Sequence, residues 1–343
     1  MDIEVRAVDP LDDDALVARL AIIGAAWAHD IPDFPPPCPV RFAVQLRRPD
    51  FATGYHAWLA YLDGRPAGTA LMTLPLLDNT GNAQVDLQVA PAHRRHGVGR
   101  ALYAHAVDAA RHHDRIRMTS DTVATLPGGV ARDGAGEAFA IAMGLKPALP
   151  EVRRRLDLST VDIWALEQPE APGYSLVRWR ERAPEEYLAD IARLDGRLVT
   201  DAPMGDLVLE APKIDAARIR DYEETCIASR ERRYQIGIVH DAVPARDPTA
   251  PPSGTLVAWT TLMFDSTTPN HAWQHITIVD PPHRGHRLGL WAKVANLRFA
   301  VENEPALRFV DTWNAAANGH MIAINEQVGF RAVDAFMQWQ QDI

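Results

Sequence analysis

The strongest constraint on the fold of this 343-residue chain is that its second half repeats the plan of its first half. The stretch His93–Leu102, HRRHGVGRAL, has a counterpart 190 residues later in His283–Ala292, HRGHRLGLWA. Two further pairs of glycines recur at nearly the same separation, 186 and 185 residues: Gly68 with Gly254, and Gly144 with Gly329. Three landmarks at nearly one offset indicate duplication of a whole domain rather than a single shared motif.

Each half also shows the same order of short strands and amphipathic helices, with the repeated basic stretch between a strand and a helix. The sequence therefore predicts two domains, residues 1–166 and 174–343. A linker at 167–173, EQPEAPG, is rich in proline and charge. The stretch 241–253, DAVPARDPTAPPS, is predicted to be a loop without regular structure.

The net charge of −10 argues against nucleic acid as the main partner, because phosphate backbones attract basic surfaces. The N-terminus is acidic, unlike a signal peptide, and the apolar run Leu20–Ala28 is too short to span a bilayer. We therefore expect a cytoplasmic protein without a membrane partner. The two cysteines, Cys38 and Cys226, match no metal-ligand spacing, so no metal site or disulfide framework is expected.

A strand followed by a glycine-containing basic turn and a helix is suited to binding an anion. The helix N-terminus offers free backbone N–H groups and the positive end of the dipole, and glycine permits a phosphate oxygen to approach the backbone. Arginine adds charge-assisted hydrogen bonds. The turn is therefore predicted to bind phosphate or pyrophosphate, a group that nucleotides, phosphosugars and coenzyme A all carry. The alternative is a solvated helix start without a ligand.

The wider pattern in the first half, V-x-P-x-x-R-R-x-G-V-G-R-x-L, resembles the acetyl-CoA-binding signature of the GNAT superfamily of N-acetyltransferases. The resemblance implies an α/β fold of two tandem GNAT domains, each a mixed, mostly antiparallel central sheet flanked by helices. It also implies that Val89 ends the strand along the pantetheine arm of acetyl-CoA. The residues implied to hold the pyrophosphate are Arg94, Arg95, His96, Gly97, Val98, Gly99 and Arg100.

The second copy departs from the signature, since Arg287 stands where the first copy has Gly97. The arginine side chain either narrows the phosphate cradle or itself contacts the pyrophosphate or the 3′-phosphate; the alternative is a domain kept only for structure. The residues implied to bind the cofactor here are Val279, Arg284, Gly285, His286, Arg287, Leu288 and Gly289. The C-terminal half also resembles tandem GNAT proteins of the mycothiol synthase kind, in which the C-terminal domain is catalytic.

Acyl transfer to an amine needs a base, which many GNAT domains supply four residues before the valine of V-x-P. That position is His275 in the second half and Val85 in the first, where Asp86 is adjacent on the opposite strand face. His275 is the predicted catalytic base, and a structural histidine is the alternative. The tyrosine that usually acts as the acid is missing from both halves, where Ala140 and Asn325 occupy its place.

Asn314 and Asn318 follow the strand LRFVDTW, where GNAT domains often place an asparagine that contacts the cofactor; ordinary turn and cap chemistry is the alternative. The loops after the first helix of each half are expected to recognise the acceptor. Four acidic residues there are candidates to attract a cationic amine, or else are solvated loop acids: Asp30, Asp33, Asp201 and Asp206.

These observations predict an N-acyltransferase that moves an acetyl or other acyl group from coenzyme A to an amine of a small-molecule acceptor. Transfer is expected to be direct, within a ternary complex. Two alternatives remain: a non-catalytic acyl-CoA-binding or sensor protein, and an acyltransferase that uses a different thioester donor. The chain is expected to be a monomer or a homodimer.

Overall fold

The computed structural model describes residues 2–166, 170–241 and 254–343. It divides into two compact units, each of which contains both strands and helices. The first unit contains Met1–Val152, Met204–Glu210 and Val333–Ile343, and the second contains Arg153–Pro203 and Ala211–Ala332. The units thus differ from the contiguous halves 1–166 and 174–343, because the C-terminal strand is counted with the first unit. That division of the sequence repeat stays a prediction. Residues 167–169 of the predicted linker and 242–253 of the predicted loop lie outside the described residues.

The first half of the chain forms six strands and four α-helices among its described residues. In chain order they are β1 (Ile3–Ala7), α1 (Asp13–Asp30), α2 (Pro39–Arg47), β2 (Thr53–Leu62), β3 (Arg65–Pro75), β4 (Asn82–Val89), α3 (Val98–His112), β5 (Arg117–Ala124), α4 (Ala135–Ala142) and β6 (Lys146–Asp157).

The second half repeats the order with an additional short helix. Its elements are β7 (Tyr174–Arg180), α5 (Leu188–Asp195), α6 (Leu198–Asp201), α7 (Ala216–Ala228), β8 (Arg232–Asp241), β9 (Gly254–Phe264), β10 (His271–Val279), α8 (Leu288–Asn303), β11 (Phe309–Ala315), α9 (Gly319–Val328) and β12 (Arg331–Asp342).

Each unit takes its last strand from the other half of the sequence. In the first unit the strand order is β1-β2-β3-β4-β5-β12, and all neighbours are antiparallel except the parallel pair β4 and β5. In the second unit the order is β7-β8-β9-β10-β11, followed by the residues of β6 from Arg153 onward. The strands β7 to β10 are antiparallel neighbours, whereas β10 and β11 are parallel. The predicted fold class of mixed, mostly antiparallel sheets flanked by helices is confirmed.

Apolar side chains on both faces of each sheet build the cores. In the first unit, Val85 and Leu102 belong to a cluster that joins the sheet to α3, whereas Leu16 and Leu71 belong to a cluster that joins the opposite face to α1. Alternation along β3 and β4 therefore sends successive side chains to opposite helical layers. This alternation decides which residues of β4 face each layer.

The strand β6 is the element that the periodicity of the sequence does not predict. Its sequence includes EVRRRLD, with three consecutive arginines, yet Arg153 is fully buried in the second unit. Arg153 Nη1 lies 2.8 Å from Asp311 Oδ2 on β11, and Arg155 donates to both oxygens of the same carboxylate at 2.7 Å. Burial alone would raise the pKa of Asp311, but hydrogen bonds from Arg155 and His271 and the charge of Arg153 hold it well below its usual range.

We expect Asp311→Asn to destabilise the protein strongly, since it leaves two arginine side chains without their common charge partner. Removing one member of a buried ion cluster costs about 3–5 kcal/mol of unfolding free energy. Urea denaturation followed by circular dichroism measures the loss. Glu302→Gln is the matched control, because Glu302 pairs with Arg178 at the surface at 3.8 Å and exposed pairs contribute about 0–1 kcal/mol. Equal effects of the two substitutions would contradict the anchoring role of Asp311.

Candidate functional site

The parallel strands β4 and β5 pair over only three residues, Asn82–Gln84 opposite Arg117–Thr119. Beyond them β5 continues antiparallel to β12, and Ser120 Oγ donates to the carbonyl of Val85 at 2.9 Å where the two strands part. The remaining residues of β4 therefore border an opening in the sheet. Backbone groups at such an opening are free to bind an extended ligand.

The second unit has the same opening between β10 and β11. These strands pair over His271–Trp273 opposite Phe309–Asp311. Thr312 Oγ1 then donates to the carbonyl of Gln274 at 3.3 Å, as Ser120 does to Val85 in the first unit. The duplication therefore extends to the feature that would admit a ligand.

Both signature turns have the same backbone, although their glycines differ. Two residues of each turn are left-handed: Arg95 (φ 65°) and Gly97 (φ 89°) in the first, Gly285 (φ 88°) and Arg287 (φ 59°) in the second. Each copy uses glycine at one of these two positions and arginine at the other. Arg287 therefore accepts the left-handed conformation that Gly97 adopts, and the backbone of the phosphate cradle is kept in the second copy.

The leading arginine of each turn is already engaged within its own unit. Arg94 donates to the two carboxylate oxygens of Asp30 at 2.8 and 2.6 Å, and its Nε donates to the carbonyl of Val89 at 3.2 Å. Arg284 donates in the same way to Asp201 at 2.8 Å and to the carbonyl of Val279 at 3.1 Å. Each arginine thus ties the turn to the end of a helix and the end of a strand. Their contact with pyrophosphate stays a prediction.

The other predicted turn residues divide into core and surface positions. Val98 and Leu288 are buried at the starts of α3 and α8, where they pack inward. A Cβ on Gly99 would lie 3.1 Å from the ring of Phe139 on α4, so a side chain there would require that ring to shift, whereas Gly289 has only ordinary contacts. The basic and imidazole side chains that are exposed beside the helix N-termini are Arg95, His96, Arg100, His286 and Arg287. These side chains border the predicted phosphate cradle of each unit.

His275 lies at a β-bulge that the first unit lacks. The register of β10 against β9 shifts between Gln274 and Ile276, whereas β4 pairs with β3 without interruption. By register, Val85 corresponds to Gln274, so His275 is an additional residue. His275 is an exposed residue, yet desolvation by neighbouring protein atoms, followed by the charge of Arg233, lowers its pKa to about 4.

Three carboxylates from different strands lie together in the first unit: Asp86, Asp121 and Glu151. Asp86 is opposite Leu71 and therefore faces the α1 side of the sheet. The negative charges of Asp86 and of Glu151 on β6 both raise the pKa of Asp121 on β5. Desolvation raises the pKa of Asp86 to about 6 and that of Asp121 to about 7; the charges of Asp86 and Glu151 add to the second shift. Alternation along β4 was the one available signal, and it identified Asp86 alone.

The two asparagines predicted at the cofactor have different roles. Asn318 is the N-cap of α9, and its side chain accepts a hydrogen bond from the backbone N–H of Met321 at 3.2 Å. Asn314 lies on β11 beyond the last residue that pairs with β10, and its Oδ1 accepts from Asn325 Nδ2 at 2.6 Å. Of the two, Asn314 is the one that borders the opening between the strands.

The acidic residues of the acceptor loops are largely neutralised by arginines. Asp30 is held by Arg94, Asp201 by Arg284, and Asp33 by Arg132 at 2.7 Å. The oxygens of Asp30 and Asp133 also form, with His29, a group whose possible metal-ligating atoms lie within 4.8 Å of one another. Because Arg94 contacts both carboxylates, this group already contains a positive charge.

A family model described as the acetyltransferase (GNAT) family matches residues 23–126. A solved tandem GNAT protein from the clavulanic acid biosynthesis pathway is 34% identical, covers 99% of this chain and 98% of its own, and superimposes with a TM-score of 0.85. The chain belongs to the GNAT acetyltransferase family. It is a tandem member, since the likeness spans both halves. A search of curated proteins finds no match.

Two more distant structures share the GNAT fold. A GCN5-related N-acetyltransferase from Sphaerobacter thermophilus is 16% identical, with a TM-score of 0.63 over 99% of this chain and 95% of its own. A putative acetyltransferase from Pyrococcus horikoshii is 12% identical, with a TM-score of 0.55 over 99% and 89%. Among the described residues, no helix combines the length and apolar character needed to cross a membrane.

Membership of the GNAT family implies acyl transfer from acyl-CoA, and both units fit the parts of that molecule. The left-handed turns place backbone N–H groups of a helix N-terminus beside exposed basic side chains, which suits a pyrophosphate. The strand openings offer free backbone to the amides of a pantetheine arm. The residues present are therefore compatible with coenzyme A in either unit.

We expect Gly97→Ala to lower the unfolding free energy by about 1–2 kcal/mol, because the new Cβ must accept a left-handed backbone and lies 3.3 Å from Ile3 Cδ1. Arg287→Ala is the matched control at the corresponding position, where a Cβ is already accommodated. Thermal unfolding of both variants measures the difference. If Arg287→Ala destabilised the protein as much as Gly97→Ala, the left-handed backbone at Gly97 would not be the cause of the loss.

Proposed function

We propose that this protein is an N-acyltransferase that moves an acyl group from coenzyme A to an amine of a small-molecule acceptor, by direct attack within a ternary complex. The observation that carries the proposal is the pairing, in each unit, of a strand opening with a left-handed turn and a helix N-terminus. The tandem relative at 34% identity comes from a biosynthetic pathway for a small molecule, which supports an acceptor of that class. Acetyl-CoA is the donor that the family favours.

Acyl-CoA supplies an activated thioester whose carbonyl carbon the amine attacks; the C–S bond then breaks and the sulfur keeps the electron pair. The free edge of β4 or β10 would orient the pantetheine arm through backbone hydrogen bonds. The helix N-termini of α3 and α8 would hold the pyrophosphate, assisted by the exposed Arg95 and Arg287. The protein thereby contributes position and electrostatics.

The first unit offers carboxylates as the base. An acceptor amine is protonated at neutral pH, so a negatively charged group both attracts it and accepts its proton. The pKa values of Asp86 and Asp121, about 6 and 7, lie close to neutral pH, where a base is most effective. Both residues belong to the strands that border the opening.

The second unit offers His275 as the base. With a pKa of about 4 the imidazole is neutral throughout the physiological range and free to accept a proton, although it is a weak base. The bulge places it on the strand that borders the opening, and bulges recur beside active sites because they redirect a side chain. We therefore retain His275 as the candidate catalytic residue of this unit.

Asp121→Asn is expected to lower turnover by the first unit about 10²-fold, the usual contribution of a general base. The substitution Gly285→Glu, which places a carboxylate in the second cradle, provides the background in which the first unit acts alone. In that background the rate of acyl transfer should rise between about pH 5 and 8, and this rise should be absent from the Asp121→Asn variant. The rate is measured as release of CoA thiol with a panel of amines. Glu137→Gln, on the exposed face of α4, is the control. A pH profile unchanged by Asp121→Asn would exclude the carboxylate as base.

The same substitution has a consequence for stability. Because the folded protein raises the pKa of Asp121 above its ordinary value, this carboxyl contributes stability at low pH that is lost as the pH rises through about 7. Asp121→Asn should therefore leave the melting temperature unchanged near pH 4 and raise it by about 2–4 °C at pH 8. Scanning calorimetry at the two pH values tests the sign.

His275→Ala is expected to lower turnover by the second unit about tenfold, with little effect on the affinity for CoA. The background here is Gly97→Glu, which disables the first cradle. Because the pKa of His275 is about 4, the base contributes no inflection to the rate between pH 5.5 and 8. Full activity of His275→Ala in this background would rule out its role as base.

A binding protein without turnover is the second candidate function. It is favoured by the absence of a tyrosine at both positions where the family places its acid, which are Ala140 and Asn325. Calorimetric binding of acetyl-CoA without thiol release, with any amine of the panel, would establish it and overturn the enzymatic proposal.

A further inference from the structure

The signature helix of the second unit contains a buried lysine. Lys293 of α8 is 1% exposed and lies in a helix whose neighbouring residues are almost all buried. The other two lysines of the chain, Lys146 and Lys213, are exposed. Burying an ammonium is costly unless a partner satisfies it, so the position of Lys293 requires an explanation.

A chain of hydrogen bonds leads from Lys293 to the edge of the opening in the second unit. Lys293 Nζ donates to Asn325 Oδ1 of α9, and it lies 5.1 Å from the centre of the Phe330 ring. Asn325 is fully buried, and its Nδ2 donates to Asn314 Oδ1 at 2.6 Å. Asn314 is partly accessible and lies three residues beyond Asp311, the last residue of β11 that pairs with β10.

The direction of this chain follows from the contact of Lys293 with the oxygen of Asn325. Desolvation lowers the pKa of Lys293 to about 7, and both the charged and the neutral form of its side chain donate to that oxygen. The nitrogen of Asn325 must then point to Asn314, whose oxygen accepts it. The Nδ2 of Asn314 is left as a donor, and within the described part of the chain it has no acceptor.

The described residues of the first unit hold no equivalent of this chain. The residues at the repeat positions of Lys293 and Asn325 are Tyr103 and Ala140, and the strand register places Thr122 at the repeat position of Asn314. Tyr103 instead donates to Gln341 at 2.7 Å. A polar network present in one copy of a duplicated domain points to a task that only that copy performs.

We propose that Asn314 Nδ2 donates a hydrogen bond to the sulfur of acyl-CoA at the opening between β10 and β11, and that Lys293 is a positioning residue that holds this donor in place through Asn325. The inference rests on the proposed acyl transfer. As the C–S bond breaks, the sulfur takes the electron pair and becomes a thiolate, which the amide N–H stabilises. The amine nitrogen forms the new bond to the carbonyl carbon and loses its proton to the base. Asn314 thus assists the departing thiolate, although position 325 has no acidic side chain.

Asn325→Asp in the full-length Gly97→Glu chain tests the orientation directly. The introduced carboxylate keeps, and strengthens, the interaction with Lys293, but it has no N–H to donate. Asn314 must then turn its nitrogen toward this carboxylate and its oxygen toward the opening. We expect kcat to fall about tenfold while KM for acetyl-CoA and the melting temperature stay the same or improve. Unchanged kcat would overturn the proposal, because a merely structural asparagine tolerates this replacement.

Lys293→Met provides the second variant, since methionine fills a similar volume without a charge. The substitution leaves the buried Oδ1 of Asn325 without its donor, which lowers the free energy of unfolding. We therefore expect a lower melting temperature together with a lower kcat. Tyr103→Phe, at the same helix position of the first unit, is the matched control and should leave the kcat of the second unit unchanged. A drop in melting temperature without a drop in kcat would make Lys293 structural and overturn its positioning role.

A readout without turnover separates this inference from the proposed function. In protein labelled with ¹⁵N-asparagine, addition of acetyl-CoA should shift the side-chain NH₂ signals of Asn314, assigned by their loss in Asn314→Ala. The shift should vanish in Asn325→Asp. Shifted signals in a chain that releases no thiol would refute the transferase proposal and support the donor. Unmoved signals in a chain with turnover would refute the donor and leave the transferase proposal standing.

Discussion

The fold of the second unit depends on one carboxylate, Asp311, that neutralises two arginines of β6. A strand with three successive arginines enters a buried sheet position only because an acceptor of matching charge lies on β11. The cost of burying these groups is offset by their mutual contacts, so the cluster specifies which strand occupies that position. The same cluster specifies the register of β6, because a slip of one residue would turn Arg153 to the opposite face of the sheet.

Charged contacts also fix the position of the signature turns. Arg94 and Arg284 each bind a helix-end aspartate and a strand carbonyl, which determines where the turn begins. These arginines hold the turns in place, and their contact with a pyrophosphate stays a prediction. The groups that we propose for phosphate recognition are the backbone N–H groups of the helix N-termini and the neighbouring exposed basic side chains.

Much of this architecture could be predicted from the sequence, because the repeat, the strand alternation and the glycine turns are local signals. The element β6 could not, since its arginines are compatible with burial only in the presence of Asp311, more than 150 residues away. The cluster of Asp86 and Asp121 could not be predicted for a similar reason: their adjacency depends on pairing between distant strands. Counting residues aligned His275 with Val85, whereas the bulge, visible only in the register, makes His275 an insertion.

The placement of β12 has a consequence for biosynthesis. Because the last strand of the first unit, β12, is formed by residues of the second half of the sequence, that unit stays incomplete until translation has passed β12. Its edge strand β5 meanwhile exposes unpaired backbone groups, a condition that invites pairing with foreign strands. Neither half of the sequence contains all the strands of one unit, so loss of one half removes a strand from the unit that the other half mainly forms.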